Sequence, residues 1–333
     1  MTNGRKIVVL GANSFSGQDF VDLLLDSPDN QVIGISRSAE RSELFLKYRS
    51  RPAGGNYCYH QLDLNRDLEV LLELLDTERP ELIVNFAAQS EVGPSWEHPE
   101  HWFQTNTVAL ARLVNHLARQ NYLQRYLHIS SPEVYGSCLG TVDESSPANP
   151  STPYAVSKIA ADMLLGVYHQ QYGFPLVTVR ATNVYGARQQ LFKIIPRSTI
   201  YMKQGKVIPL HGGGVAVKSF IHIRDVSRGE LAVLEHGKSG GIYHLSPDRG
   251  IAVREVVERI AEKMGKRFDD VCEVVDERRG QDAAYVIDST LARKELGWQP
   301  RITFDEGLAE VLDWVDQYWD EIQRQPLAYE HRA

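Results

Sequence analysis

The run Lys6-Ile7-Val8-Val9-Leu10 passes straight into Gly11-Ala12-Asn13-Ser14-Phe15-Ser16-Gly17, and a helical pattern follows over 17–25. An apolar strand, a glycine turn and a helix in that order form the opening of a β-α-β unit. Such a turn lets the backbone approach a pyrophosphate, which then rests on the helix N-terminus. Taken alone it is also what any tight turn looks like, and Ser14 stands where the middle glycine of three is usual. The rest of the first half extends the constraint. Apolar runs at 31–35, 82–86, 125–129 and 176–180 alternate with helical stretches at 68–76, 102–119 and 154–172. The runs at 6–10, 82–86 and 176–180 are nearly unbroken Val, Ile and Leu, as strands buried on both faces require. Strand alternating with helix predicts an α/β fold built on a doubly wound parallel sheet.

After Gly186 the pattern becomes irregular. Gly212-Gly213-Gly214 and Ser239-Gly240-Gly241 mark turns, and helical periodicity returns at 253–264 and 304–318. At 333 residues the chain exceeds one minimal domain, and 43% hydrophobic residues suffice for a large core. Lys plus Arg number 36 and Asp plus Glu 43, a net charge of −7, with no basic block, which argues against a nucleic-acid partner. No apolar run approaches the ~20 residues of a membrane span, and Met1–Lys6 leaves no room for a signal peptide. Cys58, Cys138 and Cys272 are far apart and fit no zinc or disulfide spacing. The expectation is a cytoplasmic protein with neither a metal site nor a membrane contact.

The second strand ends Ile35-Ser36-Arg37-Ser38. A strand end that holds the ribose 2′-hydroxyl of NAD carries Asp or Glu, and none stands here. Arg37 between serines suits a 2′-phosphate through charge-assisted hydrogen bonds, so NADP is expected, with NAD as the alternative. Arg37 reads equally as a solvated loop residue. Asp63, after Gln61-Leu62, either holds the adenine amino group or caps a turn. Further on, Ser131 follows the run 125–129, Tyr154 begins a helix, and Lys158 lies four residues later on the same face. A nearby ammonium, helped by an oxidised nicotinamide, lowers a phenol from ~10. The phenolate can then take a hydroxyl proton while Ser131 hydrogen-bonds the same oxygen. His128 and His222 lie in apolar stretches and read as core histidines.

These residues resemble the extended short-chain dehydrogenase/reductase family. The resemblance runs from Gly11 to about Trp314 and is carried by several segments. They are Asn85-Phe86-Ala87-Ala88-Gln89-Ser90, Thr105-Asn106, Ser131-Pro132-Glu133-Val134-Tyr135-Gly136 and Pro153-Tyr154-Ala155-Val156-Ser157-Lys158. Later ones are Arg180-Ala181-Thr182-Asn183-Val184-Tyr185-Gly186, the stretch from Ser219 to Val226, and Glu295-Leu296-Gly297-Trp298. The chain looks most like the nucleotide-sugar 4,6-dehydratases, which oxidise C4 of the sugar, eliminate water across C5 and C6 and return hydride to C6. The resemblance implies a Rossmann-type dinucleotide domain over 1–186 and about 219–246. A smaller, mixed C-terminal substrate-binding domain then covers about 187–218 and 247–325, with a tail over 326–333.

It further implies Ser131, Glu133, Tyr154 and Lys158 as catalytic residues. The dinucleotide would meet Gly11, Asn13, Ser14, Phe15, Gly17, Ser36, Arg37, Asp63, Leu64, Ala87, Ala88, Gln89 and Asn106, besides Tyr154 and Lys158. A nucleotide-diphosphate sugar would meet Ser90, Asn183, Lys193, Lys218 and Arg278. Glu133 falls where the dehydratases carry the carboxylate that removes the C5 proton, a position that simple 4-epimerases leave without it. One departure is Pro132, where dTDP-glucose dehydratases have aspartate and GDP-mannose dehydratases serine; proline can neither donate nor accept a proton. Epimerases and UDP-glucuronate decarboxylase-like enzymes share the keto intermediate and stay as alternatives, as does a dinucleotide sensor that performs no chemistry. Relatives pair as homodimers through two helices, here 102–119 and 154–172, of which the first carries Leu110, Leu113, Val114 and Leu117 at helical spacing.

Overall fold

The structure, a computed structural model, describes residues 4–52, 54–137, 140–276 and 286–332. Seven strands form the central sheet: β1 (Lys6–Leu10), β2 (Gln31–Ser36), β3 (Tyr57–Gln61), β4 (Leu82–Asn85), β5 (Arg125–Ile129), β6 (Leu176–Ala181) and β7 (Ile242–Leu245). They stand in the order β7-β6-β5-β4-β1-β2-β3, every pair parallel. The order reverses at β1, so a crevice opens beyond the carboxyl ends of β1 and β4, where open α/β sheets bind ligands.

The unbroken apolar runs are explained by the sheet's two covered faces. Along β1, Ile7 and Val9 enter one core and Val8 and Leu10 the other. The face of Val8 and Leu10 is covered by α2 (Leu68–Glu78), by α4 (Leu110–Leu117), into which α3 (Pro99–Phe103) leads, and by α5 (Pro153–Tyr172). The opposite face carries α1 (Phe15–Leu24) and α7 (Ile223–His236), and its core runs on into α6 (Ile194–Lys203), α8 (Val253–Lys263) and α9 (Phe304–Gln317). Among the described residues four two-stranded ladders accompany the sheet, three of them parallel and that of Val217–Lys218 with Ile251–Ala252 antiparallel. This is the smaller, mixed part of the α/β architecture.

Two joints explain sequence features that periodicity leaves unassigned. Asp225 is fully buried at the start of α7; its two carboxylate oxygens accept from Arg301 N and Ile302 N, each at 2.9 Å, and its carbonyl accepts from Trp298 Nε1 at 2.9 Å. One aspartate therefore ties α7 to the loop that leads into α9. Beside it, Arg224 lies 3.1 Å from Asp19 and bonds Asp22, while Ser227 Oγ donates to Asp19 at 2.7 Å. That buried ion pair fastens α7 onto α1.

The helix expected over 102–119 begins earlier, at Pro99, and is not regular. Between α3 and α4 the turn Gln104–Ala109 is π-helical, holding one residue too many, a form concentrated at functional sites.

Candidate active site

At the β1–α1 turn, Gly11 has φ +83°, and a Cβ there would stand 2.7 Å from Ala87 N. A Cβ on Gly17 would stand 2.2 Å from Gly11 O. Both positions require glycine, and together they let the start of α1 sit against the loop after β4. Ser14, in the place of the usual middle glycine, is the N-cap of α1: its Oγ accepts from Gly17 N at 3.0 Å. The serine thus leaves the turn intact. The first N–H groups of α1 have no partner within the helix and suit an anion.

Asn13 N donates to Ser36 Oγ at 2.9 Å, and Asn13 Nδ2 donates to Ala39 O and Tyr59 Oη, both at 2.8 Å. The expected cofactor residues Asn13 and Ser36 therefore brace the glycine turn against the end of β2. Arg37 is exposed and donates through Nη1 to the carbonyl of Arg332 at 3.1 Å. Asp63 Oδ1 accepts from Asn65 N at 2.7 Å, a turn contact, and Leu64 packs against the core beside it. Beyond β4, Asn85 Oδ1 accepts from Ala87 N at 3.0 Å. Asn106, on the π turn, accepts from Gln89 N at 2.8 Å and donates to Gln89 O and Ser157 Oγ at 3.0 and 2.9 Å. It clamps the loop Ala87-Ala88-Gln89 to α5, a positioning contact that the extra residue of the π turn makes possible.

The helix α5 starts at Thr152, whose Oγ1 accepts from Ala155 N at 3.1 Å, with Pro153 in its first turn. This places Tyr154, Lys158 and Asp162 at i, i+4 and i+8, one stripe facing the end of β5. Burial and then the Glu133 carboxylate push the Tyr154 phenol well above its ordinary value, and a hydrogen bond with the Ser131 hydroxyl pulls the other way. Ser131 caps the short 3-10 helix Pro132–Tyr135, its Oγ accepting from Glu133 N at 3.2 Å, which fixes Glu133 beside the phenol. Lys158 Nζ donates to Ile129 O at 2.6 Å. Burial pulls its ammonium down to about 8; the Asp162 carboxylate opposes this and Arg180 adds to it.

Asp162 is not among the residues expected at the site. Its Oδ2 accepts from Ser130 Oγ at 2.6 Å and Arg180 Nη2 at 2.7 Å, and His128 Nε2 lies 3.2 Å from Oδ1. Burial pushes this carboxyl up, but His128, Arg180 and Ser130 outweigh it and hold it at about 2. The i, i+4, i+8 spacing is a readable signal for Asp162. Arg180, buried in β6, offers none.

The residues expected to meet substrate are less converged. Ser90 is exposed, and Asn183 Oδ1 is buried without a hydrogen-bond partner. Lys193, expected at the entrance, is paired with Glu91 at 2.7 Å. Lys218 lies in an outlying ladder, opposite Ile251. Arg278 lies outside the described residues.

A sequence model of the family described as GDP-mannose 4,6 dehydratase matches residues 8–311. A dTDP-glucose 4,6-dehydratase of Streptomyces niveus is 36% identical over 247 residues, covering 73% of each chain. Among solved structures, the dTDP-glucose 4,6-dehydratase DesIV of Streptomyces venezuelae, described with NAD bound, superposes with a TM-score of 0.87 at 30% identity, over 95% of this chain and 98% of that one. A UDP-glucose 4-epimerase of Thermotoga maritima reaches a TM-score of 0.85 at 24% identity, over 94% and 99%, a likeness of fold.

Proposed function

Since the chain belongs to the GDP-mannose 4,6-dehydratase family of short-chain dehydrogenase/reductase enzymes, we propose that it oxidises C4 of a nucleotide-diphosphate sugar, eliminates water across C5 and C6, and returns hydride to C6. The observation that carries this reading is Glu133, held by the Ser131 cap close enough to Tyr154 for its carboxylate to raise the phenol. A 4-epimerase needs no second base at that place. The turn of Gly11, Ser14, Phe15 and Gly17 would receive the pyrophosphate, where Gly11 and Gly17 leave space that a Cβ would fill. When bound, the nicotinamide would accept hydride from C4 and give it back at C6.

The chain's own groups move the protons. Tyr154 takes the C4 hydroxyl proton, with Ser131 holding the same oxygen. Lys158, one turn on, together with an oxidised nicotinamide, would stabilise the phenolate against burial and the Glu133 carboxylate, which both raise the phenol, and Asp162 opposes the loss of charge that burial causes at Lys158. Glu133 then removes the C5 proton, made acidic by the new 4-keto group. Pro132 supplies no acid for the departing hydroxyl, so Glu133 or a water returns that proton. Asn183, with its unpartnered buried oxygen, would accept from a hydroxyl or amide of the substrate. Neighbouring structures are described with NAD, which supports NAD here; a β2 end without a carboxylate, and with Arg37, supports admission of NADP as well.

The reading is tested with a panel of nucleotide-sugars and two variants. Wild type should give a product lighter by one water. Tyr154→Phe should form no reduced nicotinamide, because the first proton transfer is blocked. Glu133→Gln should accumulate bound reduced nicotinamide, seen by near-ultraviolet absorbance, and lose water about 10²–10⁴-fold more slowly. Water loss at the wild-type rate in Glu133→Gln would make Glu133 a structural cap and turn the reading towards an epimerase; release of carbon dioxide would turn it towards a decarboxylase.

A further inference from the structure

The segment after α9 returns to the sheet. Leu327 packs against the main core, and the Tyr329 ring stands edge-on to Phe192 at 5.5 Å. The Arg332 carbonyl accepts from Gln89 Nε2 at 2.6 Å and from Arg37 Nη1 at 3.1 Å. Gln89 follows β4 and Arg37 follows β2, and β1 with its glycine turn lies between those strands. The last described residues therefore cross the cleft assigned above to the dinucleotide.

Between these anchors, His331 joins two other imidazoles. His98 and His101 stand three residues apart at the start of α3. The three ring centroids are 5.2, 5.0 and 5.1 Å apart for His98–His101, His98–His331 and His101–His331, and the planes lie within 21° of parallel. His101 Nδ1 and His331 Nε2 are 2.8 Å apart, so those two rings meet edge to edge, with at least one nitrogen offering a lone pair. Glu100 Oε1 lies 3.7 Å from the other nitrogen of His101, Nε2. Ligand atoms from His98, Glu100 and His101 all fall within 4.8 Å of one another. The buried Trp102 indole lies nearly parallel to His331 at 5.2 Å and fixes its plane.

This is the donor set of a transition-metal site. Nitrogens bound to one ion at about 2.0–2.1 Å stand a little over 3 Å apart in a tetrahedron, and the 2.8 Å between His101 Nδ1 and His331 Nε2 is near that spacing. A ligating histidine commonly donates its second N–H to a carboxylate, and Glu100 Oε1 stands on that side of His101, at 3.7 Å from Nε2, outside hydrogen-bond distance but within reach of a side-chain rotation. Imidazole donors suit zinc, cobalt and nickel. We propose that His98, His101 and His331 bind one divalent transition-metal ion, with Glu100 orienting His101, and that the ion fastens the end of the chain across the dinucleotide cleft. The first half stands on the imidazole geometry alone. The second rests on the dinucleotide reading, because a fastened segment and a bound dinucleotide compete for one cleft, and such coupling is reciprocal.

The test uses the full chain. Titration with cobalt(II), read by its visible ligand-field bands, should show one equivalent per chain, and zinc should displace it. His331→Ala and His331→Gln should each weaken binding at least about tenfold with the fold intact by circular dichroism, and Glu100→Gln should weaken it about 10–100-fold. Saturating zinc should then weaken NAD binding within the about 5- to 150-fold range of typical coupling, and His331→Ala should abolish that difference. No stoichiometric cobalt binding, or cobalt binding indifferent to His331, overturns the site. Cobalt binding through His331 with NAD affinity unmoved by zinc overturns the fastening. Failure of NAD to bind the metal-free wild type refutes the dinucleotide reading while the cobalt titration still scores the site.

Discussion

Arg37 occupies the position at which a carboxylate would select NAD, and nothing negative stands at Ser36 or Ser38. Arg37→Ala should weaken NADP by the about 1.5–3 kcal/mol of a hydrogen bond to a charged group, and leave NAD within about twofold. Calorimetric titration with both dinucleotides checks this, and equal losses for the two would refute a 2′-phosphate contact. Lys158 allows a second prediction. Its folded pKa of about 8 lies below its ordinary 10.5, so the unfolded chain binds more protons between those values. Stability should accordingly rise from pH 8 towards pH 10, by up to about 3 kcal/mol, and the rise should vanish in Lys158→Met. Urea unfolding across that range is the measurement, and parallel slopes for both proteins would refute it. Ser131, Tyr154 and Lys158 were legible in the sequence because they sit at fixed offsets on one strand end and one helix. Arg180 was not, because an arginine in an apolar strand becomes meaningful only once Asp162 is known to face it.

Strands buried on both faces announce themselves, and β1, β4 and β6 could be read directly from their Val, Ile and Leu runs. β7 could not: four residues that include His244, following two glycines, resemble a turn. His244 is tolerated there because its Nε2 meets the Tyr135 hydroxyl at 2.8 Å, and burial pulls its pKa to about 4, keeping it neutral. The π turn at Gln104–Ala109 is equally silent in sequence, since the clamp of Asn106 on Gln89 and Ser157 that goes with it joins residues far apart in the chain. The joint between α1 and α7 is where an element-scale prediction belongs. Arg224→Met removes one partner of a buried network and leaves Asp19 and Asp22 short of a cation, a change that costs about 3–5 kcal/mol. Urea unfolding should show that loss, and a loss under about 1 kcal/mol would show that Arg51 and Lys47, 2.6 and 3.6 Å from Asp22, suffice without Arg224.

For the whole molecule, assembly through the two helices meets a specific surface. Leu110, Leu113, Val114 and Leu117 are all buried against the sheet, so none of them is available for pairing. The exposed apolar residues nearby are Val108 on the π turn and Val156, Met163, Val167 and Tyr172 along α5. Met163 is 67% exposed and Tyr172 69%, a stripe that suits a second copy related by a twofold axis. Wild type should give a dimer mass by light scattering at micromolar concentration, and Met163→Glu with Val167→Glu a monomer of unchanged circular dichroism. A monomeric wild type would dismiss the pairing. The sheet order also has a consequence for synthesis. β1 is interior in the finished sheet but is made before the sheet's other strands; β2 follows soon, whereas β4, its other neighbour, emerges about seventy residues after Leu10. At roughly 5–20 residues per second, one edge of Val8-Val9-Leu10 stays open for several seconds on the ribosome. An open apolar edge is a template for any passing strand, so the nascent chain stays open to misassembly until β4 emerges.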